Sequence, residues 1–83
     1  MTPEQLKARI ETISVGTSAD VMDLTGTQDH YKAVVVSPAF DGKMMIEQHR
    51  IVMGAVQAEI DSGEVHALTL KTFTPDQYKK FLG

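Results

Sequence analysis

Cysteine is absent from the 83 residues of this chain. That excludes a disulfide, a thiolate zinc site, an all-thiolate iron–sulfur site and a cysteine nucleophile. No apolar run approaches the roughly 18 residues that a membrane span needs, so no membrane association is expected. Positive charge is scarce: eight Lys and Arg against eleven Asp and Glu leave a net charge of −3. Bulk electrostatics therefore lend no help toward nucleic acid or anionic lipid. The opening Met1-Thr2-Pro3-Glu4 is acidic rather than basic, which gives the expectation of no targeting signal and of a cytoplasmic chain. Gly-x-Ser-x-Gly and His-Glu-x-x-His are both missing, and Phe40-Asp41-Gly42-Lys43 holds a single Gly that reads as a turn rather than a phosphate cradle. Enzymatic activity is not expected.

What remains is ordinary globular usage, 42% hydrophobic and 23% charged, in a length that holds one domain over 1–83 with a thin core. Thr2-Pro3-Glu4-Gln5 is a capping box with proline at the first helical position. Leu6, Ile10 and Ile13 follow as one apolar stripe, and Val15-Gly16-Thr17-Ser18 closes that helix. Ala19 to Leu24 reads as a strand, Thr25 to Asp29 as a turn, and Tyr31 to Val36 as the clearest strand, stopped by Pro38. Lys43 to Asp61 reads as one long helix. Met45, Val52, Met53, Val56 and Ile60 form its apolar face, with Glu47, Arg50, Gln57 and Asp61 opposite. Val65 to Phe73 alternates as a half-buried strand, and Thr74-Pro75-Asp76-Gln77 starts a last short helix carrying Tyr78, Phe81 and Leu82.

The order α-β-β-α-β-α predicts a two-layer α+β domain with a three-stranded mixed sheet. The short turn makes strands one and two antiparallel, and the helical crossover lets strand three run parallel to strand two. The helices then cover one face of the sheet.

The three histidines are the side chains able to ligate a metal through neutral nitrogen or to titrate near neutrality. His66 opens the third strand; its plain reading is a surface histidine, its functional one a metal ligand. His30 opens the second strand. If those strands are parallel neighbours, the two histidines lie at one end of the sheet, about 4.8 Å apart in the strand-to-strand direction plus any register offset. His49 falls on the apolar helix face among Met45, Val52, Met53 and Val56, where a neutral core histidine is the plain reading. The five Met read as core filler. Lys43, Arg50, Lys32 and Lys71 read as solvated charges, with a small basic patch as the alternative.

Four blocks, Val36-Ser37-Pro38-Ala39-Phe40-Asp41-Gly42, Gln48-His49-Arg50-Ile51-Val52, Val65-His66-Ala67-Leu68 and Thr72-Phe73-Thr74-Pro75-Asp76-Gln77-Tyr78, resemble the BolA-like family in order and spacing. The resemblance runs from about residue 3 to 80. It implies a class II KH-like fold and a monothiol CGFS-type glutaredoxin as partner. It also implies a [2Fe–2S] cluster shared with that partner, which supplies glutathione, in iron–sulfur trafficking or iron regulation. The family's C-terminal histidine ligand maps onto His66. Two departures stand out: the usual Arg-His-Arg is Gln48-His49-Arg50 here, and the turn between the first two strands carries neither Cys nor His, leaving His30 as the nearest second ligand. Some members act as DNA-binding regulators, which makes Lys43, His49 and Arg50 candidate contacts for nucleic acid or a partner. The expectation is thus a non-enzymatic adaptor that holds no cluster alone. Nucleic-acid binding is the second reading, and a metal-free homodimer the third.

Overall fold

The computed structural model describes residues 1–26 and 30–82. Elements follow in the order α1 (Pro3–Glu11), β1 (Ser18–Asp23), β2 (His30–Val36), a single 3-10 turn (Pro38–Phe40), α2 (Met45–Ala55), α3 (Gln57–Asp61), β3 (Ala67–Phe73) and α4 (Pro75–Leu82). The expected turn between the first two strands falls partly on residues 27–29, outside the described residues. The sheet order is β1-β2-β3, with β1 antiparallel and β3 parallel to β2, as the sequence predicts.

Both capping boxes form. Gln5 N–H donates to Thr2 Oγ1 at 3.1 Å and Thr2 N–H to Gln5 Oε1 at 2.8 Å. The same reciprocal pair joins Thr74 and Gln77 at 3.0 and 3.1 Å. Each box satisfies two of the amide donors that a helix start leaves without a helical partner.

The central strand supplies the floor of the core: Tyr31, Ala33 and Val35 are fully buried, alternating with half-buried His30, Lys32, Val34 and Val36. Leu6 and Ile10 of α1, Val52 of α2, and Val56, Phe40 and Val65 close over it. α1 packs chiefly on β1, and α2 on β3. The last helix brings Tyr78 and Phe81 against Phe73, with ring centroids 5.6 and 5.1 Å from it.

The long helix divides. Val56 leaves helical geometry at φ −116° and ψ 15°, ending α2 and beginning α3. Gly54 and the β-branched Val56 are weak helix formers at that point. The buried face also differs from the expected one. Gln48, Val52, Val56 and Glu59 face inward, while Met45 and Ile46 stand 68% and 58% exposed. Periodicity fits either stripe. The inner one wins because the Gln48 amide donates to the Lys43 carbonyl at 3.0 Å and Glu59 Oε1 pairs with a cation, although Glu59 Oε2 is buried with no partner among the described residues.

Lys7 ties α1 to β1, donating to Glu11 Oε2 at 2.8 Å and to the Ala19 carbonyl at 2.9 Å. The Lys7 ammonium holds the Glu11 carboxyl below its ordinary range; desolvation opposes this and the Ala19 N–H assists. A depressed folded-state value stabilises the fold above the unfolded carboxylate range, and that stabilisation is lost as pH falls through the folded value. Glu11→Gln is therefore expected to cost about 0.3–0.5 kcal/mol at neutral pH, as exposed i,i+4 pairs do. The deficit should vanish in acid, as urea titrations at two pH values will read out.

Candidate metal centre

Parallel pairing of β2 with β3 sets His30 opposite Ala67, so His66 arrives beside His30 at one end of the sheet. The two imidazole centroids lie 6.0 Å apart with their planes at 40°. His66 is exposed and His30 half-buried. β3 begins at Ala67, two residues after the expected Val65, so His66 precedes the strand rather than opening it: Val65 is buried, and its N–H donates to the Glu59 carbonyl at 3.1 Å. That bond holds the chain in a turn up to His66. Gly63 makes the turn at φ +83°, a conformation that L side chains rarely adopt, and a Cβ built there would stand 3.9 Å from His66 Nε2. The ring thus sits over the turn rather than out along the strand.

Glu59 anchors this turn to α1. Its Oε1 pairs with Arg9 Nε at 2.7 Å, and its side chain is 7% exposed while that of Arg9 is 53% exposed. The same residue's carbonyl accepts from Val65 N–H and from the Ser62 hydroxyl, each at 3.1 Å. The sequence reading passed over this pair. The available signal was spacing, since Glu59 continues the helical stripe of Gln48, Val52 and Val56. Removing Arg9 leaves a buried carboxylate with no cation. Arg9→Ala is expected to lower stability by about 1.5–3 kcal/mol and to move the amide resonances of Val65 and His66, whereas Lys80→Ala leaves both unchanged. Urea denaturation and a two-dimensional NMR spectrum provide the check.

The spacing of the pair allows both rings to approach one metal ion. A metal about 2.1 Å from each nitrogen lies about 3.2 Å from each ring centroid, so two rings on one ion stand up to about 6.4 Å apart. The observed separation is within that span. Among the described residues, no group of three or more His, Cys, Asp or Glu is placed to hold a metal. Among the described residues, none completes a site built on His30 and His66.

Of the other candidates, His49 is half-buried beside Met45, Ile46, Arg50 and Met53. This corrects its expected place among Val52 and Val56: those two face the core, whereas His49 borders an open depression. Arg50 lines that depression and exposed Lys43 does not.

A family profile described as BolA-like protein matches residues 2–77. The Protein BOLA2 of Arabidopsis thaliana is 35% identical over 81 residues, spanning 95% of this chain and 85% of that protein. The DNA-binding transcriptional regulator BolA of Escherichia coli is 35% identical over 54 residues, 65% of this chain and 50% of that protein. Against other curated relatives the chain spans 48% and 53% of their length. Among solved structures, a bolA protein homologue from Coxiella burnetii superposes with a TM-score of 0.81 at 34% identity, covering 95% of this chain and 97% of that one.

Proposed function

Since the chain belongs to the BolA-like family, we propose that it is a non-enzymatic, cytoplasmic adaptor for a monothiol CGFS-type glutaredoxin. In this reading it lends imidazole nitrogen to a [2Fe–2S] cluster, in iron–sulfur trafficking or iron and redox regulation, while the partner and its glutathione supply the thiolates. One observation carries the reading: an exposed His66 ring stands 6.0 Å from that of His30 in a chain without cysteine.

The donor chemistry fits. A [2Fe–2S] centre takes four protein donors, commonly thiolates, and mixed His/Cys sets are a known variant. When bound, the cluster supplies one-electron chemistry or iron as cargo. His66, with His30 beside it, would offer a neutral nitrogen in place of an anionic thiolate, making the centre less negative and raising its potential. A protonated imidazole has no lone pair to give, so acid weakens the complex.

Mixing the chain with cluster-loaded glutaredoxin tests this. The expected result is a changed visible circular-dichroism spectrum and nitrogen hyperfine coupling in the reduced cluster's electron paramagnetic resonance. An unchanged spectrum overturns the proposal. A second reading, nucleic-acid binding through Lys43, His49 and Arg50, is favoured by what the Escherichia coli relative is called. It requires binding to duplex DNA that weakens steeply with salt.

A further inference from the structure

At the side of the molecule formed by α2 and β3, apolar residues and cations meet an unpaired strand edge. β3 ends the sheet. The Phe73 carbonyl points inward, accepting from Ser37 N–H at 3.0 Å. Strand alternation then turns the N–H and C=O groups of Leu68, Leu70 and Thr72 outward, to the open edge. Thr72 Oγ1 is buried with no hydrogen-bond partner among the described residues, and Thr72 lines a 310 Å³ groove with Met45, His49 and Leu70. Beside it, sharing Met45 and His49, lies a 520 Å³ depression lined also by Ile46, Arg50 and Met53. Lys71 borders the groove and Arg50 the depression; among the described residues no carboxylate lines either.

We propose that this edge and depression form a docking site for an extended acidic segment of a partner protein, which adds as a fourth strand beside β3. The segment's backbone pairs with Leu68, Leu70 and Thr72. Its apolar side chains, on the helix-facing side, enter the methionine-lined depression, where Arg50 at the rim meets a carboxylate at the segment's end; its alternate carboxylates lie on the opposite face beside Lys71. Strand addition draws affinity from main-chain hydrogen bonds and specificity from alternate side-chain pockets. Methionine surfaces accommodate varied apolar groups. Charge argues against a second copy as occupant, because pairing β3 with itself gathers two Lys71 and two Arg50 at one interface; lysine on an edge strand discourages self-pairing. Nucleic acid is the poorer fit: two cations around an apolar floor neutralise few phosphates. The site begins two residues beyond His66, and its argument does not depend on the adaptor proposal.

The test uses the isotopically labelled full chain and a synthetic octapeptide alternating glutamate with valine. The expected result is saturable shifts at the Leu68, Leu70 and Thr72 amides, with slowed hydrogen exchange there. Met45→Glu and Arg50→Glu, both at exposed positions, should each weaken binding at least tenfold, while His66→Ala binds as the parent does. Several outcomes overturn the proposal: no shifts; equal binding of a peptide with lysine in place of glutamate; shifts confined to β1; tighter occupation of the groove by a single-stranded oligonucleotide; or the same shifts from self-association alone.

Discussion

His66→Ala is expected to abolish the change that this chain produces in the visible circular dichroism of a cluster-loaded glutaredoxin, while leaving its own urea midpoint unmoved. The two halves of that result have separate physical causes. The ring is exposed, so truncating it removes little buried surface, and substitutions of that kind usually stay within about 0.5 kcal/mol. The ring nitrogen is in contrast a direct donor in the proposed complex. Loss of an outer-shell partner already costs about 10–100-fold in metal affinity, and loss of a donor costs more. His30→Ala, half-buried at the first position of β2, is expected to weaken the complex and lower stability together. An alanine at 66 that leaves the spectrum intact would remove this chain from the coordination sphere.

Phe40→Ala is expected to leave a chain that is substantially unfolded at 37 °C. The ring is fully buried at the end of the 3-10 turn after β2. Truncating a buried Phe costs about 3–5 kcal/mol through lost transfer energy and the cavity left behind. At roughly 0.05–0.15 kcal/mol per residue, a domain of this size has a total stability of only about 4–12 kcal/mol. A quarter or more of it therefore goes with one side chain. Phe40→Leu fills most of the space and is expected to lose about half as much. Thermal unfolding of both variants by far-ultraviolet circular dichroism gives the comparison, and equal midpoints for Phe40→Ala and the parent would contradict the packing described.

Elements with strong local signals were legible in the sequence. Capping boxes at Thr2 and Thr74 announce two helices because side-chain and backbone groups within four residues satisfy one another. The β-branched run of β2 and the alternation of β3 mark a central strand and a half-buried one. Parallel pairing of those strands, legible in the length of the helical crossover, places His30 and His66 at one end of the sheet. The buried side of α2 was less legible. Counting apolar residues favours the Met45–Met53 side, but the interior accepts Gln48 and Glu59 because a backbone carbonyl and Arg9 pair with them, Glu59 through Oε1 alone. Those partners come from distant parts of the chain, so periodicity alone could not find them. The same pairing over distance hid the anchor of the His66 turn and the open edge beside Thr72.

The histidine pair is assembled from two strands separated by the whole α2–α3 crossover. Closing so long a loop is entropically slow and is offset only once β2 and β3 are joined. A nascent or misfolded copy presents two unrelated imidazoles and no bidentate grip. If the pair ligates as proposed, cluster binding is confined to the finished fold, a built-in proofreading of the chain's own maturation.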